Sequence, residues 1–323
     1  MLGAEGIAGI HPTIKAVPEL LSNSSKGMGA SDPFSATYCV AQTSSPLVLW
    51  HLVSLDAPTV AVVWTLAFAK AAQVQLPAWV PALLGLATWS VYVGDRLLDA
   101  RAALQAGRLH CLRERHGFHW RHSRVLIPLA VCAACAALGI VLALMPPLAL
   151  ERNSVLAAAT LAYLTGVHSP RRTPDDGHSK PLSRMAWLFS KEFLVAVLFT
   201  AGCALPVFSR IATWQLPPLA GMAAYFALLA WLNCFAIQSW ESGEEIAGLS
   251  RVQRLACLLG MAGAGLAFPL FWVMPRIAPV LVTGAASALL LALLDRTRGR
   301  FSPVMLRACS DLVLLTPLAL LLR

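Results

Sequence analysis

Residues 125–145 read VLIPLAVCAACAALGIVLALM, and none of these 21 side chains carries a charge. A helix needs roughly 20 apolar residues to cross the hydrocarbon core of a bilayer, so this stretch predicts a membrane-spanning helix. The whole chain has the same bias, because 58% of its 323 residues are hydrophobic and 13% are charged, with a mean hydropathy of +0.67. A soluble domain needs far more charge to cover its surface, so this composition excludes one.

Other apolar blocks of similar length follow one another along the chain, separated by short polar breaks. Together they predict an all-α integral membrane protein with nine transmembrane helices. The predicted spans are 46–69, 77–98, 125–145, 147–167, 187–208, 217–238, 252–273, 277–295 and 303–322.

Basic residues collect in alternate loops of this predicted topology. Six arginines follow span two, and further basic residues follow spans four, six and eight, whereas the other loops carry single ones. Because cytoplasmic loops are enriched in Arg and Lys, the even-numbered spans are expected to end in the cytoplasm, where the N-terminus also lies. The same rule accounts for the net charge of +9, so no nucleic-acid partner is expected. The expected location is a bacterial inner membrane.

Residues 1–44 differ in kind from the rest of the chain. They are rich in Ser, Gly, Ala and Pro and contain no long apolar run. A segment of this composition cannot bury enough apolar surface to fold, so we expect a disordered cytoplasmic tail. Residues 45–323 then form one transmembrane domain, whose oligomeric state the sequence leaves open.

Two carboxylates, Asp95 and Asp99, stand at the cytoplasmic end of span two. Their spacing of four places both on one helical face. The structural interpretation is a helix end whose carboxylates pair with Arg96 and Arg101. The functional interpretation is a divalent-cation site, because Mg²⁺ binds carboxylate oxygens and is usually completed by substrate phosphates.

A second pair, Glu241 and Glu245, leaves span six on the same predicted side of the membrane. Alone it is typical of an acidic loop. Two such pairs at the ends of two helices, in a chain with 16 acidic residues, favour a shared metal site. Asn233 and Gln238 lie deeper in span six, and polar side chains in membrane helices usually face the bundle interior or a cavity.

Basic residues near this predicted site suggest an anionic ligand. Lys191 and Glu192 stand at the beginning of span five. Lys191 is either half of a salt bridge or an interfacial side chain, or it is part of a phosphate clamp. The loop after span two carries four histidines, which we interpret as part of a lid over an anionic ligand rather than a zinc site. They are His110, His116, His119 and His122.

The chain resembles the UbiA superfamily of intramembrane prenyltransferases. Residues 55–58 (LDAP) are similar to the opening of that family's first helix, and residues 95–99 (DRLLD) to the end of its first aspartate motif. Residues 241–245 (ESGEE) correspond in position to its second motif, and residues 199–206 (FTAGCALP) to its G-x-x-x-P region. The resemblance covers residues 46–322.

This resemblance implies a nine-helix, UbiA-like bundle around a central cavity, and a reaction. A Mg²⁺ cofactor would be held by Asp95, Asp99, Glu241 and Glu245, and would bind the diphosphate of a polyprenyl donor. Arg96 and Lys191 would contact that diphosphate. The prenyl tail would lie in an apolar groove open to membrane lipid, and a hydrophobic, often aromatic, acceptor would receive the prenyl group.

Two features depart from the family pattern and leave alternatives open. Val91 stands where the family's first motif begins with Asn, and glutamates replace the aspartates of the second motif. One alternative is a lipid-binding member of the same fold without catalytic activity. Another is a transporter that uses the carboxylates as ion ligands, although transporter sites usually lie nearer the bilayer midplane.

Overall fold

A computed structural model describes residues 45–105, 114–168, 191–242 and 250–322 of the chain. The predicted tail at residues 1–44, as well as His110 and Glu245, lie outside these ranges. Within them, all regular secondary structure is helical. The helices are α1 (Pro46–Leu52), α2 (Asp56–Ala72), α3 (Trp79–Gln105), α4 (Glu114–Arg121), α5 (Ser123–Leu144), α6 (Pro147–His168), α7 (Lys191–Phe208), α8 (Leu216–Ser242), α9 (Arg251–Val273), α10 (Ala278–Arg296), α11 (Pro303–Leu312) and α12 (Leu318–Leu321).

Six segments of the described chain are long and apolar enough to cross a membrane, and α1 with α2 forms a seventh if that bent pair is counted as one span. The six are Ser123–Leu144, Lys191–Phe208, Thr213–Ser242, Arg251–Val273, Ala278–Arg296 and Pro303–Leu321. Each of the seven coincides with a predicted span. The chain therefore has the helices of a multi-pass membrane protein.

The other two predicted spans, 77–98 and 147–167, fall on α3 and α6. These helices have 27 and 22 residues, so at 1.5 Å per residue they measure about 40 and 33 Å, enough to cross a bilayer. Both are more polar than the seven, because α3 carries its carboxylates and arginines and α6 begins with the sequence ERN after its first turn. A count of nine spans therefore remains a prediction.

The first predicted span is not one straight helix, because α1 and α2 meet at an angle of 92°. Ser54, between them, has a φ of 63° in the left-handed region that side chains other than glycine rarely adopt. Pro58 explains the break: in a continuous helix its ring would clash with the carbonyl of Ser54, and it has no N–H to donate there. The first turn of α2 therefore starts afresh at Asp56.

Aromatic side chains form the centre of the apolar core. Trp64 of α2 stacks on Phe226 of α8 with ring centroids 4.0 Å apart, and Phe68 packs edge-on against the same ring. Trp64 Nε1 also donates a hydrogen bond of 2.9 Å to the carbonyl of Leu314, just beyond α11. This cluster holds α2, α8 and the last span together.

Glycines allow α9 and α10 to approach the tyrosine of α8. A Cβ added to Gly284 would lie 2.7 Å from Cε1 of Tyr225, which is closer than carbon atoms pack. Gly263 meets the same ring from α9. Tyr225 can therefore reach between the two helices and donate its hydroxyl to the carbonyl of Leu259 at 3.0 Å.

Candidate functional site

Asp95 and Asp99 lie in the C-terminal half of α3, which continues to Gln105, and both are half-buried. Asp99 Oδ2 is 3.8 Å from Nε2 of His116, which belongs to α4. Both carboxylates also lie within electrostatic range of the phenol of Tyr163 on α6. The first predicted carboxylate pair therefore sits where α3, α4 and α6 come together.

Glu241, from the second predicted pair, lies in the last turn of α8 and forms an ion pair with the guanidinium of Arg307 on α11. The arginine is buried and the glutamate side chain is 17% exposed. Its predicted partner Glu245 lies outside the described residues. The ion pair gives Glu241 a structural partner that the sequence did not indicate.

Arg96 is buried at the corner between α1 and α2. Its Nη1 donates to the carbonyl of His51 at 3.0 Å and to Ser54 Oγ at 2.7 Å, and its Nη2 lies 3.3 Å from Asp56 Oδ2. These contacts explain why Ser54 can hold its unusual backbone conformation. The guanidinium is thus engaged in fixing the corner, and a contact with diphosphate stays a prediction for this residue.

The other predicted binding residues take different positions. Asn233 is buried and donates through Nδ2 to Asp311 Oδ1 at 3.0 Å. Gln238 is exposed on α8, and Lys191 is exposed at the start of α7. Lys191 and Asp311 both lie within electrostatic range of Cys234, so α7, α8 and α11 place them around one region.

The fold brings together three residues that were not among the predicted site residues. His51 Nδ1 lies 2.6 Å from Asp56 Oδ2 and 3.5 Å from Asp311 Oδ2. Asp56 had been noted only as part of a motif. His51 and Asp311 could have been selected from the sequence, because an ionisable side chain inside an apolar membrane span is rare and is usually paired.

This cluster has the residue types of a metal site, with ligand atoms of His51, Asp56 and Asp311 all within 4.8 Å of one another. Two observations argue for hydrogen bonding instead. A separation of 2.6 Å between His51 and Asp56 is a hydrogen-bond distance. Arg96 also supplies a positive charge beside the same Asp56 oxygen. We therefore assign the cluster as a buried ion network.

His119 of α4 also belongs to this network, because its ring hydrogen-bonds to Ser54. Its Nδ1 is 2.8 Å from the carbonyl of Arg115, and a carbonyl can only accept, so Nδ1 carries the proton and Nε2 is free to accept. Ser54 Oγ, 2.9 Å from Nε2, then donates to His119 while accepting from Arg96.

The protonation state of His119 follows from this arrangement. Burial lowers the pKa of His119 to about 4, the hydrogen bond to the Arg115 carbonyl opposes that shift, and the nearby Arg96 guanidinium adds to it. A protonated Nε2 would have to donate towards Ser54, whose hydroxyl already donates to it. His119 is therefore neutral at pH 7, which suits its buried place beside a cation.

A small cavity of about 40 Å³ lies next to the network, among α2, α3, α7, α8 and α11. Its polar lining consists of Tyr92, Asn233, Cys234 and Asp311, and the rest is apolar. The volume corresponds to about one water molecule.

A larger groove of about 470 Å³ runs between α6, α7 and α8. Its lining is almost entirely apolar, apart from Arg152 and Thr200. Along α6 the lining residues run from Arg152 to Ala159, and Tyr163 follows one turn later on the same face. Since Tyr163 lies near Asp95 and Asp99, one end of the groove leads towards the first carboxylate pair.

Comparison of the chain with models of protein families, with curated proteins and with solved structures finds no match.

Proposed function

We propose that this chain is a Mg²⁺-dependent prenyltransferase of the UbiA superfamily. It would cross the membrane nine times, with its N-terminus and active site on the cytoplasmic side. It would transfer a prenyl group from a polyprenyl diphosphate to a lipid-soluble, often aromatic, acceptor. The observation that carries the proposal is the apolar groove between α6, α7 and α8, which leads towards the half-buried Asp95 and Asp99.

The nine-span topology is supported by the helices themselves. Seven segments, counting the bent pair, meet the length and apolarity expected of a span. The other two predicted spans fall on α3 and α6, which are long enough to cross. Their polar residues would be sheltered on the inside of the bundle, which is where ionisable residues of membrane helices usually face.

The first carboxylate pair has the ligand type that Mg²⁺ prefers. Asp95 and Asp99 offer hard oxygen ligands on one face of α3. Glu241 fits less directly, because its ion pair with Arg307 would have to open before it could bind a metal. When bound, the ion would neutralise charge on the diphosphate leaving group.

The remaining residues would bind and orient the two substrates. Lys191, exposed at the start of α7, would attract the diphosphate towards the carboxylate pair. The apolar lining of the groove would hold the prenyl tail and keep it away from water. α4, which carries His116 beside Asp99 and His119 beside Ser54, would cover the diphosphate from the loop side.

The proposal is tested by binding farnesyl diphosphate to the purified chain in detergent, with Mg²⁺ and with EDTA. We expect Mg²⁺-dependent binding that is lost when Asp95→Asn and Asp99→Asn are combined. Glu151→Gln, which removes an exposed carboxylate from α6, is the control and should bind as the wild type does. Normal binding by the double variant would show that the site assignment is wrong. Binding without turnover would indicate the non-catalytic member of the fold.

A further inference from the structure

We propose that Asp311 is the base that accepts the proton of the acceptor substrate, an inference that rests on the proposed function. In prenyl transfer the bond between the allylic carbon and the diphosphate oxygen breaks, and the diphosphate leaves with the electron pair. A bond then forms between that carbon and the acceptor. The acceptor gives up one proton from carbon or oxygen, and this proton needs a receiving group.

Asp311 is placed to receive it because it lines the small cavity and its side chain remains 18% exposed. Asn233 donates to Oδ1 at 3.0 Å, and Nδ1 of His51 lies 3.5 Å from Oδ2. The hydrogen bond from Asn233 fixes the orientation of the carboxylate. Asn233 is therefore a positioning residue for Asp311.

A second observation points to a ligand in the same cavity. Asn233 is 5% exposed, and its Oδ1 accepts no hydrogen bond from the described residues. The amide cannot turn around, since a carboxylate accepts and Nδ2 must face Asp311. A buried acceptor without a donor is costly, so the cavity suits a ligand with an O–H or N–H group. The cavity has room for about one water molecule, so the hydroxyl end of an acceptor substrate could enter it, where it would satisfy Oδ1 and meet Asp311.

The charges of the network distinguish its two carboxylates. Asp56 accepts from the Ala57 N–H at 2.9 Å and has the cation of Arg96 and the ring of His51 at its other oxygen. Asp311 instead accepts a hydrogen bond from the neutral amide of Asn233, and His51 lies farther from it than from Asp56. Asp56 is therefore held ionised, and Asp311 is the carboxylate left to bind a proton.

The two carboxylates are balanced by two cations when His51 carries a proton, because Asp56 and Asp311 then lie beside the Arg96 guanidinium and the His51 ring. In that state Asp311 is an ionised carboxylate, the form that can accept a proton. The other ionisable groups that face Asp311 across the cavity, Tyr92 and Cys234, are uncharged at pH 7.

The test uses the full chain in vesicles with labelled farnesyl diphosphate, Mg²⁺, and phenol, naphthol and a long-chain alcohol as acceptors. Transferred product and free farnesol are measured together. In Asp311→Asn we expect transfer to fall by about 100-fold or more, with the ratio of product to farnesol falling as well. Asp311→Glu should restore part of the rate. Asp295→Asn is the control, because that buried carboxylate bonds to Trp240 and Ser250 instead of lining the cavity.

The results of this test separate failure of the base assignment from failure of the proposed function. Unchanged transfer in a folded Asp311→Asn protein overturns the assignment of the base and leaves the proposed function intact. A wild-type protein that forms no product contradicts the proposed function itself, and the inference with it. If Asp311→Asn does not fold, Asn233→Ala should lower transfer about tenfold with the same shift towards farnesol, and normal transfer would contradict the inference.

Discussion

Replacing Arg96 by methionine should destabilise the fold more than any exposed change on the same helix. The substitution removes two hydrogen bonds, to the His51 carbonyl and to Ser54 Oγ, and takes the guanidinium away from the buried carboxylate of Asp56. Charged hydrogen bonds contribute roughly 1.5–3 kcal/mol each. Breaking a buried ion pair from one side costs roughly 3–5 kcal/mol. We therefore expect a loss of about 4 kcal/mol in the free energy of unfolding.

The assay is a titration of the purified protein with SDS in mixed micelles, followed by tryptophan fluorescence. Arg101→Met is the control, because Arg101 is exposed on α3. Adding Asp56→Asn to Arg96→Met should recover about 2 kcal/mol, since the unpaired buried charge is then gone. If Arg96→Met differs from Arg101→Met by under about 1 kcal/mol, the structural role assigned to Arg96 is wrong.

Three other outcomes are expected. Gly284→Ala should cost roughly 1–3 kcal/mol, because its Cβ meets Tyr225 at 2.7 Å, whereas Gly139→Ala, with no atom within 4 Å, should cost nothing in the same titration. Glu241→Gln should cost roughly 3 kcal/mol by stranding its buried arginine partner, and unchanged stability would contradict the ion pair. Because the folded pKa of His119 is about 4, its stabilising effect should be complete above about pH 6.5 and decline as the pH falls towards 4. A His119→Gln protein should lack that decline.

The sequence predicted the helices well because the apolar runs are long and the bilayer sets their length. Seven predicted spans coincide with segments long and apolar enough to cross a membrane, counting the bent pair α1–α2 as one, and the other two fall on α3 and α6. The corner at Ser54 was missed because a hydropathy pattern records how apolar a stretch is and carries no information on its direction. Pro58 was the local signal for the break, since a helix rarely continues through the residues before a proline.

The partners of the polar residues could not be predicted, because they join helices far apart in the chain. Arg96 was predicted to contact diphosphate, and its hydrogen bonds to Asp56 and Ser54 were not predicted. Glu241 pairs with Arg307, and nothing in the sequence selects that partner. Such pairings depend on how the helices pack, whereas the helix on which each residue lies follows from the sequence alone.

The central claim is that Asp95 and Asp99 hold the metal on which prenyl transfer depends. The most direct measurement is the release of diphosphate from farnesyl diphosphate by the full chain in vesicles. We predict release that requires Mg²⁺, stops in EDTA, and falls by about 100-fold or more when Asp95→Asn and Asp99→Asn are combined. Release that continues in EDTA, or at the wild-type rate in the double variant, would contradict the account.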